Sequence, residues 1–340
     1  MPNDAASPGG SSPASPRDLL RPPAHRGPLI AAGAVLVTVG VVLEEVRLDD
    51  KLPTGVHLAI LGLAAGVMLA LGLQARPEDG RPPTFQSVLL VAGLGLLAPA
   101  LLTLSDVLGA DFDEFPAGAV TWTSLVLAGV ALWPAVAKGS AICALIAAVA
   151  AAVAVLAFVN WSTDATSLTT YRWLLVFAAL GFVVVSLLLR GPAPRHAEQM
   201  VNAAGLAVLA IGLSGLVTVV FPFTGAGDTI LPNGWELVVL VAGCGLIAVG
   251  AVDRAPGPAY LGVANLTAFT VAAGVSDDET LLFWPVLLLV IGLGVMITGL
   301  RPRSPLPPEP NAYHSGDLPF ASRTDDDEPV LRVRDDSPPR

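Results

Sequence analysis

Long, mainly apolar stretches recur along this chain at similar lengths, and the few charged side chains within them sit near their ends. They lie near 28–46, 54–74, 86–106, 117–136, 140–160, 168–189, 199–221, 234–252, 257–275 and 281–300, each close to the ~20 apolar residues a helix needs to cross hydrocarbon. No water inside a bilayer satisfies free backbone groups, so each stretch must hydrogen-bond to itself as a helix. The pattern predicts an all-α protein, a polytopic transmembrane helical bundle of about ten spans. The fifth stretch is almost pure Ala, Val, Ile and Leu, which reads as a tilted or loosely packed span.

Composition supports the pattern. Hydrophobic residues make up 54% of the chain and charged residues 14%, where soluble domains carry about 25% charged residues. The membrane domain is expected over 28–301. Residues 1–27 and 302–340 are rich in Pro and Ser, the second also in acidic residues, and read as disordered cytoplasmic tails with too little apolar surface to offset ordering entropy. The polar N-terminus and the missing small-residue cleavage site argue against a cleaved signal peptide. The first span then serves as the insertion signal.

The spans also repeat. "WLLVFAALGFVVVSLLLR" from Trp173 to Arg190 and "WPVLLLVIGLGVMITGLR" from Trp284 to Arg301 share their length, their first Trp, their closing Leu-Arg and a glycine at the same place, Gly181 and Gly292. "AGLGLLA" at 92–98 corresponds to "AGLAVLA" at 204–210, and Trp122 to Trp235. These matches predict a tandem four-helix repeat with units at about 86–190 and 199–301. Four helices return the chain to its starting side, so the units are expected to be parallel, as in some transporters. "GVM" at 66–68 and 294–296 extends the pattern to a partial copy in spans one and two.

Charge gives the orientation. If the chain starts inside, the inner segments hold fifteen Lys and Arg, including Arg76, Arg81, Lys138, Arg190, Arg195, Arg254, Arg301 and Arg303, while the outer side holds Arg47, Lys51 and Arg172. Cytoplasmic loops collect such residues. Trp122, Trp161, Trp173, Trp235 and Trp284 fall at outer span ends, where amphipathic rings prefer the headgroup level. Both signals place the two termini in the cytoplasm. Arginine outnumbers lysine heavily, and Ala, Gly, Val and Pro are abundant. That usage points to a high-GC genome and a bacterial plasma membrane.

The net charge of −10 comes from acidic outer loops and the acidic C-terminal tail. No basic patch gives nucleic acid a footprint. Expected partners are the lipid bilayer and other membrane proteins. "SRTDDDE" at 322–328 offers a docking or phosphorylation segment, although a solvated acidic tail is the simpler reading. Cys143 and Cys244 both lie in spans, so neither a disulfide framework nor a metal-ligand spacing is expected, and no cofactor is implied.

Intramembrane ionisable groups mark function because they are costly. None falls at mid-membrane depth: Glu44, Glu45, Arg172 and Glu236 all sit at outer span ends. Gly212-Leu-Ser214-Gly215 resembles the serine motif of rhomboid intramembrane proteases. A nucleophilic serine needs a base in reach, and His57 is the only histidine in a span, but it precedes the serine where the rhomboid order places it after. A small-residue helix contact is the simpler account. The outer carboxylates Asp49-Asp50, Asp111-Phe-Asp113-Glu114 and Asp277-Asp278-Glu279 resemble those of lipid-linked glycosyltransferases or a cation site. Their loops are too short to build an acceptor site. Asn160-Trp-Ser162 matches a glycosylation sequon that carries no meaning in a bacterial protein.

One arrangement favours ligand binding. Pro99 interrupts the third span, and Gly212 and Gly215 occupy the corresponding place in the seventh. Paired interruptions in matching halves point to transporter sites. Thr103, Asn202, Ser214 and Thr218 supply uncharged hydrogen-bonding groups there and are the candidate binding residues. Ordinary packing kinks explain the same residues.

"GPAYLGVANLTAF" at 257–269 and "GLRPR" at 299–303 are phrases by which the chain resembles the uncharacterised multi-pass membrane proteins of high-GC, actinobacterial-type bacteria. That resemblance implies a membrane bundle and no activity. The sequence therefore points first to a non-enzymatic binding, scaffold or accessory membrane component. A carrier for a neutral or lipidic solute comes second, and an intramembrane enzyme (serine protease or lipid-linked transferase) third.

Overall fold

The computed structural model describes residues 27–48, 52–75, 83–110, 116–163, 167–220 and 234–275. Among them the chain is all-helical: α1 Gly27–Leu48, α2 Thr54–Gln74, α3 Thr84–Val107, α4 Ala117–Ala137, α5 Ala141–Thr163, α6 Leu168–Leu189, α7 Pro194–Val220, α8 Trp235–Asp253 and α9 Pro256–Val275. Eight of these, α1 to α8, are long and apolar enough to cross a membrane. This architecture is consistent with a helical membrane bundle. The predicted tenth span and both predicted tails lie outside the described residues.

Proline starts many of the helices. It has no N–H to lose and its fixed φ suits a first turn. Pro53, Pro83 and Pro116 immediately precede α2, α3 and α4, and their carbonyls accept the first amide bonds, from Val56, Gln86 and Val120. Pro194 and Pro256 open α7 and α9. The seventh span consequently begins five residues earlier than the apolar pattern suggests, because Arg195, His196 and Glu198 are polar yet helical.

Two tight turns make antiparallel hairpins. Between α4 and α5, Gly139 adopts φ +64° while Lys138 and Ser140 both donate to the Pro134 carbonyl. A left-handed residue just past the last turn is a frequent helix stop, and glycine takes it without a Cβ penalty. The α8–α9 turn places Arg254 at φ 53°, an uncommon conformation for a residue with a side chain.

Helices α3 and α7 are the centres of two packed groups. Their spans are 44% and 56% buried, against 11–33% for the other six spans. Around α3 pack α1, α2 and α4; around α7 pack α5, α6, α8 and α9. The α5 helix joins the groups, since it also packs on α4. An alanine-rich cluster holds this junction, combining Leu90 and Leu94 of α3, Ala131 and Ala135 of α4, Cys143, Ala144 and Ala147 of α5, and Met200 and Ala203 of α7. The fifth helix is thus a closely packed bridge, and its small side chains are what let neighbours approach.

The packing order recurs at a spacing of four helices. Helices α1, α2 and α4 bear on α3 as α5, α6 and α8 bear on α7, and the α4–α5 hairpin matches α8–α9.

Candidate functional site

Helices α6 and α8 flank α7 without packing closely along their lengths, and they meet at their two ends. At the N-terminal ends the Trp173 and Trp235 rings stand edge to face with centroids 5.3 Å apart. At the C-terminal ends an Arg190 guanidinium nitrogen donates to Asp253 Oδ2 at 2.5 Å. Between these contacts lies a cavity of about 880 Å³, within the 300–1,000 Å³ usual for ligand sites. Its walls include Val176, Leu180 and Val183 of α6, Val201 of α7, and Val241 and Gly245 of α8.

Local sequence explains why the space exists. Ala197, Ala204, Gly205 and Val208 place small side chains along the face of α7 that forms the floor, and Ala242 and Gly245 do the same on α8. A Cβ built on Gly245 meets nothing within 4 Å. Ser186, the one hydroxyl in the wall among the described residues, donates to the Ala197 carbonyl at 2.9 Å, so it is satisfied within the protein. From Val176 to Arg190 the α6 wall rises about 21 Å at ~1.5 Å per residue, more than one leaflet of a ~30 Å hydrocarbon layer.

Polar groups gather near each end of α6 and α8, but only one end's groups line the groove. Behind the tryptophan pair, Arg172 is 4% exposed and Glu236 6%. Arg172 Nε donates to Ser214 Oγ at 3.1 Å, and that hydroxyl donates in turn to the Ile211 carbonyl. Glu236 sits in the first turn of α8, where the helix dipole favours a carboxylate. At the other end Arg190, Arg195, Glu198 and Asp253 surround the mouth. The groove is apolar along its length and carries charged groups at the Arg190–Asp253 end.

A second polar constellation joins α1 to α2. His57 Nδ1 donates to Glu45 Oε2 at 2.6 Å, with both side chains largely buried. His57 Nε2 has no partner among the described residues. From sequence, His57 is only a candidate base for Ser214. The structure instead engages His57 with Glu45, and Ser214 with Arg172 and its own helix. We expect Glu45→Ala to destabilise the chain by roughly 2 kcal/mol, the scale of a charge-assisted hydrogen bond. Glu45→Gln keeps an acceptor and should lose less than half as much; equal losses in thermal unfolding would deny the bond its role.

The candidate binding residues are scattered. Thr103 donates back to the Pro99 carbonyl at 3.0 Å, one turn earlier on α3. Asn202 is buried, takes its amide bond from Nδ2 to Gln199 Oε1, and leaves Oδ1 without a partner among the described residues. A Cβ on Gly257 would sit 2.8 Å from that amide, so Asn202 packs against the start of α9. Ser214 lies about 18 Å farther along α7 at the helical rise. The side chain of Thr218 lies outside the described residues. The cavity is therefore walled by α6, α7 and α8: the seventh span lines it and the third does not, although both are buried centres.

Among the described residues no group of His, Cys, Asp and Glu is arranged to hold a metal ion. No family model, curated protein or solved structure matches the chain; its helices, eight of them apolar and long enough to span, are compatible with an integral membrane protein.

Proposed function

We propose that the chain is a non-enzymatic, multi-pass component of a bacterial plasma membrane that holds a lipid chain in the groove between α6, α7 and α8. The observation carrying this reading is the apolar cavity with charged groups at one end. In a bilayer, hydrocarbon is the neighbour such walls meet, and apolar lining with few polar groups selects by shape. The packing order recurring every four helices supports the expected parallel tandem repeat with units at about 86–190 and 199–301. Arg190, Arg195 and Arg254 all lie at one end, which supports a cytoplasmic placement of that end and of both termini.

Purified full-length protein, washed extensively in detergent, should retain about one phospholipid per chain in native mass spectra. Complete loss of lipid under washing that keeps the protein folded would overturn the reading. Reporter fusions after Arg81 and Arg195 should report cytoplasm, and one after Asp113 the exterior. A reversed loop would overturn the orientation. The carrier alternative shares the groove, because the Arg190–Asp253 pair closing it is exposed and worth ~1 kcal/mol or less. It predicts protein-dependent lipid movement between leaflets of reconstituted vesicles, which a static binder does not produce.

A further inference from the structure

The mouth of the groove carries four charged groups whose states differ. Arg190 and Asp253 satisfy each other. Arg195 and Glu198 stand three residues apart near the start of α7, and both line the cavity, yet neither makes an ion pair or side-chain hydrogen bond among the described residues. One cation and one anion are therefore available side by side where the apolar walls end. Their charges sum to zero, as do those of the pair beside them. An anionic headgroup would meet Arg195 but also the carboxylates of Glu198 and Asp253. A headgroup that carries both a phosphate and a primary ammonium meets each with an opposite charge.

Resting on the lipid-binding reading, we propose that the Arg195–Glu198 mouth selects a phospholipid with a zwitterionic, primary-amine headgroup of the phosphatidylethanolamine type. Its phosphate lies against the Arg195 guanidinium, its ammonium donates to the Glu198 carboxylate, and an acyl chain lies along Val183, Val201 and Val241. A guanidinium suits phosphate because its planar donors match the oxygens. A quaternary ammonium has no N–H to donate to Glu198, so the choline headgroup loses that bond. The charge complementarity commits the groove to lipid over an apolar helix, which would leave both groups unanswered.

The test uses delipidated full-length protein in detergent, offered phosphatidylethanolamine, phosphatidylcholine and phosphatidylglycerol with identical chains, and read by native mass spectrometry. The parent should retain the ethanolamine lipid roughly fivefold better than either competitor, somewhat under the scale of one charge-assisted hydrogen bond because the site is partly exposed. Glu198→Gln should abolish the preference over choline, and Arg195→Ala should weaken both zwitterionic lipids, while total folded protein is unchanged. Equal retention of all three lipids would overturn the headgroup assignment and leave the groove reading standing. No retained lipid of any kind, or a lipid-free dimer burying the groove, would overturn both.

Discussion

Gly262→Leu should separate α8 from α9 and lower stability more than a substitution anywhere in the groove wall. A Cβ at Gly262 would lie 2.6 Å from Ile247 Cγ1, 2.7 Å from the Gly243 carbonyl and 2.9 Å from the Ile247 backbone nitrogen. Two of those three atoms are backbone and cannot turn aside. The contact is mutual, because a Cβ on Gly243 would meet Leu266 and the Gly262 carbonyl at 3.0 to 3.2 Å, and one on Gly250 would meet the Ala259 nitrogen at 2.8 Å. Glycine at these places lets two helix backbones touch, the approach on which membrane helix packing depends. Overpacking typically costs about 1–3 kcal/mol and can exceed it; with backbone on the receiving side the upper end is expected. Gly66→Ala is the control. Its Cβ meets nothing within 4 Å, so the better helix propensity of alanine should leave stability unchanged or raise it by up to ~1 kcal/mol. Thermal unfolding in detergent should show a large drop for Gly262→Leu, a smaller one for Gly262→Ala and none for Gly66→Ala. A tolerated leucine at 262 would mean that α8 and α9 are not in this contact.

Gly245→Trp should remove lipid binding while leaving the fold intact. Gly245 faces open space in the groove wall, so an indole there enters the cavity without displacing protein atoms. Any ligand that binds only the folded state stabilises it by mass action. The parent should therefore lose thermal stability on delipidation and regain it when lipid returns, by about 2–3 kcal/mol at a hundredfold excess over the dissociation constant. The variant should show no such response. Its own stability should match the delipidated parent or exceed it, since the indole buries apolar surface that lipid otherwise covers. A variant that responds to lipid as the parent does would place the bound lipid elsewhere.

How much of this is legible in the sequence differs by level. The spans are visible because hydrocarbon demands uninterrupted apolar runs, and nine of the ten expected stretches coincide with described helices. Helix starts are less visible, as at α7, where Arg195, His196 and Glu198 hide a helical turn behind polar side chains. Which face of each helix turns inward cannot be read, because residues such as Val176, Val183 and Val241 are as apolar toward lipid as toward protein. Amphipathic period, the signal that orients helices in water, is lost when lipid is the solvent. The groove escapes sequence reading for this reason. A trace exists in the small residues Ala197, Ala204 and Gly205 spaced along one side of α7, beside Gly245 of α8. Arg190 and Arg195 serve only as topology signals until the structure sets them around a cavity mouth. His57, Glu45 and Arg172 are plain in the sequence as polar groups at span ends, but only packing shows His57 and Arg172 buried and Glu45 partly so.

The central claim is that lipid resides between α6, α7 and α8, and site-mapped photocrosslinking tests it most directly. Delipidated protein is loaded with one equivalent of a phospholipid bearing a diazirine in its acyl chain, irradiated, digested and sequenced. Lipid in the groove predicts label concentrated on Val183, Val201 and Val241, with little on Leu132 or Val136 of α4, which are 54% and 78% exposed. Label spread over the exposed faces of α1, α4 and α6 in proportion to their area, with none on Val201 in the groove floor, would contradict it.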